Sequence, residues 1–331
     1  MRSTLHGEGP NDMARLRCAI LDDYQNVALT MADWSSLATD VEVTVFNQHL
    51  GGGPAAAAAL QDFEIVVAMR ERTRFDAAVL ATLSRLRLLV TTGMRNAAID
   101  LEAARARGVL VCGTASSSEP PVELTWALIL SLARRVVKES TALRAGGPWQ
   151  STVGADLNGK TLGLLGLGKI GSRVAHIANA FGMRTLAWSQ NLTAERAQAA
   201  GAECAASKHD LLAASDFVSI HLVLSDRTRG LLVADDLRLC SPTALLVNTS
   251  RAAIIDQAAL IEALQKGWIA GAAVDVFDEE PLPERHPFRT LPNLLATPHL
   301  GYVTVANYRR YYNEAVEDIR AFLAGVPIRT L

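Results

Sequence analysis

The chain has 331 residues, half of them hydrophobic and a fifth charged, with 32 Lys and Arg against 34 Asp and Glu. That length is roughly twice a usual domain and predicts two separate cores with a cleft between them, and nothing in the near-balance of charge suggests nucleic acid as the main partner. Cys18, Cys112, Cys204 and Cys240 stand too far apart for a zinc or disulfide framework, and no apolar run approaches a membrane span. A cytoplasmic protein with no membrane partner and no metal is expected.

Residues 1–14 are polar and without periodicity, and they read as a disordered leader or the stretch before an alternative start. From Arg15 onward the β-branched or leucine-rich runs RCAIL, VEVTVF, EIVVAM, LRLLVT and GVLVCG alternate with Ala-rich segments of helical length. This βαβ alternation calls for a parallel sheet. The low-complexity tract Ala55 to Leu60 follows a Gly-Pro start and predicts an ordinary surface helix. PPVELTWALILSLARRVV, opening at Pro120 and Pro121, predicts one long apolar helix connecting the two domains. A second series of strands is expected at TLGLLG, RTLAWS, FVSIHL, ALLVNTS, AAVDVF and LLATP, and a helix from about Thr304 to Ala324 closes the chain.

Within that second series the strand TLGLLG runs into G-L-G-K-I-G, with glycines at 166, 168 and 171, and then into the helical stretch SRVAHIANAFG. Gly166 allows the tight turn, Gly168 lets a pyrophosphate approach the backbone, and Gly171 lets helix and strand pack closely. The helix N-terminus presents free N–H groups to the anion, and Lys169 adds a positive charge nearby. A dinucleotide is the expected ligand. The Asp or Glu that bonds the ribose is expected about 20 residues on, yet the sequence there reads Trp188-Ser189-Gln190-Asn191. Without that acid a 2′-phosphate meets no fixed negative charge, and Ser189 and Asn191 are able to donate hydrogen bonds to it. No Arg lies in the turn itself, and Arg196 stands too far along the next helix to be assigned. The choice between NAD and NADP is left open.

Three later segments, LLVNTSRAAIID, AAVDVFDEEPLP and LLATPHLGY, each put polar residues just beyond an apolar strand, where open α/β sheets hold their ligands. They supply Arg251, Glu280 and His299. These are the residue types needed to fix a carboxylate, orient an imidazole and transfer a proton.

With these four segments, G-L-G-K-I-G at Gly166, V-N-T-S-R-A-A-I-I-D at Val247, D-V-F-D-E-E-P-L-P at Asp275 and T-P-H-L-G at Thr297, the chain resembles the D-isomer-specific 2-hydroxyacid dehydrogenase family from about Arg15 onward. The family includes 3-phosphoglycerate, glyoxylate/hydroxypyruvate and D-lactate dehydrogenases. The resemblance implies an α/β fold of two Rossmann-like parallel-sheet domains. The NAD(P)-binding domain, 114–302, would be inserted into a flavodoxin-like substrate domain, 15–113 plus 303–331. It implies that Arg251 binds the substrate, Glu280 partners the histidine, His299 is the general acid/base, and Asp275 lies on the nicotinamide side. It also places Lys169, Ile170, Ser189, Leu222 and Thr249 where the family touches the cofactor, and it implies a homodimer. The expected partner is a small 2-keto or 2-hydroxy acid, of 3-phosphoglycerate or glyoxylate/hydroxypyruvate type.

The chain departs from the family in M-R-E-R-T-R at Met69 and T-T-G-M-R-N at Thr91, which make Arg70, Arg72 and Arg95 candidate contacts for a distal anionic group. Formate and phosphite dehydrogenases share the fold, but formate enzymes typically pair the histidine with Gln, and Glu280 argues against them. A non-catalytic NAD-sensing scaffold resembling the family's corepressor relatives is the other alternative, and the presence of Arg251, Glu280 and His299 argues against it.

Overall fold

A computed structural model of the chain describes residues 15–331; the expected leader at 1–14 lies outside the described residues. The chain divides into two units, one running from Ser117 to Val303 and the other formed by the residues through Ser116 together with Thr304–Leu331.

The first unit alternates β1 (Leu16–Ile20), α1 (Ala28–Met31), β2 (Val41–Val45), α2 (Pro54–Leu60), β3 (Ile65–Ala68), α3 (Ala77–Thr82), β4 (Leu88–Thr91), α4 (Leu101–Ala106) and β5 (Leu110–Gly113). The strands form a parallel sheet in the order β2-β1-β3-β4-β5. Every residue of β3 and β4 is buried, as continuous apolar runs must be when helices cover both faces of a sheet. Asp76 and Asp100 start α3 and α4 by accepting from the Val79 and Ala103 amides. The alanine tract in α2 buries Ala56, Ala57 and Leu60, as an ordinary amphipathic surface helix does.

In the second unit the segment expected as one long helix is two: α5 (Glu119–Ala133) and α6 (Val136–Arg144). They are separated by Arg135, whose left-handed backbone (φ 53°) breaks the helical ladder. There follow β6 (Thr161–Leu165), α7 (Lys169–Ala180), β7 (Arg184–Trp188), α8 (Ala194–Ala199), β8 (Glu203–Cys204), α9 (Lys208–Ala214), β9 (Phe217–Ile220), α10 (Ala234–Arg238), β10 (Leu245–Asn248), α11 (Gln257–Lys266), β11 (Gly271–Val274) and β12 (Leu294–Ala296). The expected strands all appear, and β8 is added.

The order of this parallel sheet is β12-β11-β10-β9-β6-β7-β8. Alternation along the strands feeds one apolar cluster on each face: Leu165, Leu246 and Val218 enter one, and Leu164, Leu245, Val247 and Phe217 the other. Chain order reverses direction between β6 and β9, and ligands of open α/β sheets bind outside the carboxyl ends of strands at such a switch.

The closing helix α12 (Val305–Leu323) belongs to the first unit. Thr304 caps it by accepting from the Asn307 amide, and its buried face carries Tyr308, Tyr311 and Tyr312. Among the described residues no helix is long and apolar enough to cross a membrane.

Candidate active site

Everything with site chemistry in the second unit lies past the carboxyl ends of its strands. β6 passes into the glycine loop at Gly166, which adopts φ 101°, a region open to glycine. A Cβ there would meet the His221 carbonyl oxygen at 2.7 Å, and one at Gly171 would collide with the Gly166 carbonyl. These two glycines let α7 close onto the strands. Gly168 differs: a Cβ there would meet nothing within 4 Å. It is the N-cap of α7 and offers no capping side chain to the first-turn amides. Open space over uncapped amides at the end of the first nucleotide strand is the cradle a pyrophosphate needs, so these residues fit a dinucleotide. Lys169 and Ile170 open the helix behind it.

Past β9, Nε2 of His221 lies 2.9 Å from Ser219 Oγ, and burial pushes its pKa down to about 4, so it stands neutral behind the glycine loop. Sequence reasoning missed His221. Its only signal was position, as the first residue after a buried strand that neighbours β6. Leu222 follows it, and its carbonyl accepts from Ser250 Oγ at 2.5 Å, which joins the ends of β9 and β10.

At the end of β10, Asn248 organises the turn: its Oδ1 accepts from the Ser250 amide (3.0 Å), and its Nδ2 donates to the Arg251 carbonyl (3.0 Å). The Thr249 hydroxyl lies 2.8 Å from that of Thr125 on α5. Arg251 has an extended backbone at the start of a short 3-10 turn, and its Nη1 donates to the Ser250 carbonyl at 2.8 Å.

β11 and β12 bring two expected partners together. His299 Nδ1 lies 2.7 Å from Glu280 Oε2, and the Phe277 amide donates to Glu280 Oε1 at 3.0 Å. Both side chains are only 19 % exposed. His299 takes a left-handed backbone (φ 53°), one that non-glycine residues seldom adopt and that is concentrated at functional positions.

Asp275 shows how that conformation is held. Fully buried beyond β11, it accepts from Thr297 Oγ1 (2.7 Å) and the Leu300 amide (2.7 Å) on one oxygen and from the Gly301 amide (2.8 Å) on the other. It therefore grips the chain on both sides of His299. Burial raises its pKa, and these donors, with positive charge on His299, oppose the rise. The Tyr302 ring stands edge-on to His299 with centroids 5.4 Å apart, a contact that no motif announced.

Ser189 lies half-buried at the start of the turn after β7, whose Gln190 and Asn191 are exposed. The three candidate arginines are in the first unit, past β3 and β4. Arg70 Nη1 donates to the Thr92 carbonyl at 2.8 Å and crosses the space a side chain at Gly93 would need. Arg72 lies over the Tyr24 ring, 5.1 Å from its centroid, and Arg95 is exposed.

Residues 126–301 match the family model described as D-isomer specific 2-hydroxyacid dehydrogenase, NAD binding domain. The chain is similar to the glyoxylate reductase of Aeropyrum pernix, 43 % identical over 76 % of this chain and 78 % of that protein. The D-3-phosphoglycerate dehydrogenase of Methanocaldococcus jannaschii is 34 % identical over 80 % of this chain, which spans 51 % of that longer protein. Among solved structures, the phosphoglycerate oxidoreductase of Vibrio cholerae superposes with a TM-score of 0.88 at 38 % identity, over 94 % of this chain and 99 % of that one.

Proposed function

The chain belongs to the D-isomer-specific 2-hydroxyacid dehydrogenase family, and from that premise we propose that it reduces a small 2-keto acid of the glyoxylate/hydroxypyruvate type to the D-2-hydroxy acid, reversibly, with NAD(P). The observation that carries the reading is the His299–Glu280 pair, held past the strand ends in the same unit as a glycine loop shaped for a dinucleotide.

The bound nicotinamide supplies the hydride in reduction and accepts it in oxidation. This chain's residues do the rest. Arg251 holds the substrate carboxylate with its guanidinium by charge-assisted hydrogen bonds. His299 donates a proton from Nε2 to the substrate oxygen during reduction and takes it back during oxidation. Glu280, anchored through Oε1 to the Phe277 amide, fixes the ring through Nδ1. That bond leaves Nε2 as the nitrogen for proton transfer. Asp275 keeps the backbone of His299 in register on the nicotinamide side. Lys169, Ile170, Ser189, Leu222 and Thr249 complete the cofactor contacts.

In this reading the second unit binds the dinucleotide, and Arg70, Arg72 and Arg95 are assigned to substrate binding. The identity to the glyoxylate reductase of A. pernix favours the small keto acid over 3-phosphoglycerate.

A second copy of the chain is part of the proposal. α6 leaves Val136, Val137 and Leu143 exposed, and Trp149 and Val153 beyond it are 82 % and 96 % exposed. Ser151 ties this arm back to Glu139, through its amide at 3.1 Å and its hydroxyl at 2.8 Å, so the apolar side chains ride on an ordered segment. Clustered exposed apolar residues of this kind mark an interface. The free thiols of Cys18, Cys112, Cys204 and Cys240 suit the cytoplasm.

The deciding experiment follows NADH and NADPH oxidation with glyoxylate, hydroxypyruvate, phosphohydroxypyruvate and pyruvate. Turnover is expected with the first two and should fall about 100- to 10,000-fold in His299→Ala. Near-full turnover in that variant would remove His299 from the chemistry. No turnover with any substrate would remove the reaction.

A further inference from the structure

The turn after β7 stands beside the glycine loop: Leu165 pairs with Trp188 across the ladder, and the Gly166 amide donates to the Trp188 carbonyl at 2.9 Å. In dinucleotide-binding sheets the adenosine ribose lies here, and an acid about 20 residues past the glycines bonds its 2′-hydroxyl when the cofactor is NAD. Here the turn is Ser189-Gln190-Asn191, closed by the Leu192 amide on the Ser189 carbonyl at 3.0 Å, and no Asp or Glu occurs between Trp188 and Glu195.

Arg196 changes what this turn offers. It sits in the first turn of α8, yet its side chain doubles back so that Nη1 donates to the Asn191 carbonyl at 3.3 Å. That bond is at the long end for its type and goes to a neutral acceptor. The guanidinium thus lies on the turn itself, exposed. The adjacent acid, Glu195, has its carboxyl held below the usual range by bonds from its own amide and the Thr193 hydroxyl, so it is engaged with the start of the helix.

We propose that the protein takes NADP in preference to NAD, with Arg196 binding the 2′-phosphate and Ser189 and Asn191 donating to its remaining oxygens. The proposal rests on the dinucleotide reading of the glycine loop and is independent of which acid is reduced. A 2′-phosphate places close to two negative charges on this turn. A carboxylate there would repel them, whereas the planar guanidinium matches phosphate oxygens with two parallel donors. Arg196 exchanges a long bond to a carbonyl for charge-assisted ones.

The test is direct binding, without substrate: titration of the full-length protein with NADPH and NADH by nucleotide fluorescence, and with 2′,5′-ADP and 5′-AMP by calorimetry. NADPH is expected to bind tenfold or more tightly than NADH, and 2′,5′-ADP more tightly than 5′-AMP. Arg196→Ala should lower the NADPH-to-NADH affinity ratio by about tenfold to a hundredfold, Arg196→Lys should recover part of it, and Ser189→Asp should invert it. Equal or tighter binding of NADH, or an unchanged ratio in Arg196→Ala, overturns the proposal. Because binding is read without turnover, selective NADPH binding by a protein that reduces no keto acid would uphold this inference while sinking the proposed reaction.

Discussion

Glu280 divides its two oxygens between two tasks: Oε1 accepts from the Phe277 amide at 3.0 Å, and Oε2 meets His299 Nδ1 at 2.7 Å. The carboxylate is thus fixed to the backbone three residues away before it orients the ring. Glu280→Gln keeps the size and one acceptor but loses the charge, and kcat should fall by about tenfold to a hundredfold, the scale of one charge-assisted hydrogen bond. KM should change much less. Steady-state kinetics with an unchanged kcat would show that the pairing is structural only.

The glycines of the phosphate loop should separate under substitution. Gly171→Ala places a methyl against the Gly166 carbonyl, and denaturant unfolding should show a loss of about 1–3 kcal/mol from overpacking. Gly168→Ala puts its methyl into open space on an extended backbone. It should weaken dinucleotide binding at least about tenfold, a little over 1 kcal/mol, and shift the melting temperature far less than Gly171→Ala does. The reverse pattern would mean that the space above Gly168 is not where the pyrophosphate sits.

In the first unit, burial raises the Asp318 carboxyl to about 7 although Arg329 Nε donates to Oδ1 at 2.9 Å. Among the described residues its other oxygen has no hydrogen-bond partner. A native pKa above the unfolded value of about 3.9 means that the folded state holds a proton the unfolded chain has released. The stability this contributes is complete below about pH 4 and is lost as the pH rises through about 7. The unfolding free energy of the wild type minus that of Asp318→Asn should therefore decline between those limits. A difference that is flat or rises with pH contradicts the shift.

The arm from α6 to Val153 should control assembly. Trp149→Asp, placed on a side chain 82 % exposed within one chain, should convert a dimer to monomers in sedimentation velocity and leave the far-ultraviolet spectrum of the folded units intact. A wild-type monomer at micromolar concentration would dismiss the dimer.

Most of the architecture was legible because parallel sheets buried on both faces demand continuous apolar strands, and short runs such as EIVVAM and LRLLVT recur between helix-length segments. Glu203–Cys204 was not legible: two residues on the sheet edge carry no periodicity. Nor was the break at Arg135, since an arginine in the left-handed region leaves no compositional mark where glycine would have. At the site, motifs named Glu280 and His299, and the structure adds the distance between them. His221, Tyr302 and the Thr297 hydroxyl escaped notice because their roles depend on three-dimensional neighbours. Arg196 was set aside for its distance along the chain, and the side-chain bond back to Asn191, on which the proposed phosphate contact rests, is visible only in three dimensions.

The first unit draws on two stretches of chain that are far apart. The Gly113 amide at the end of β5 donates to the Arg329 carbonyl at 2.9 Å, Cys112 bridges Thr330, and α12 buries three tyrosines in the same unit. On the ribosome the strands through β5 emerge first, but the residues that finish their unit arrive only after the whole of 117–303 has been made. The contiguous second unit is free to fold during that interval, while the N-terminal strands wait with an incomplete core. A released chain truncated after Val303 should therefore show a protease-resistant second unit and a still-digestible N-terminal segment, the part for which a chaperone would have most to hold.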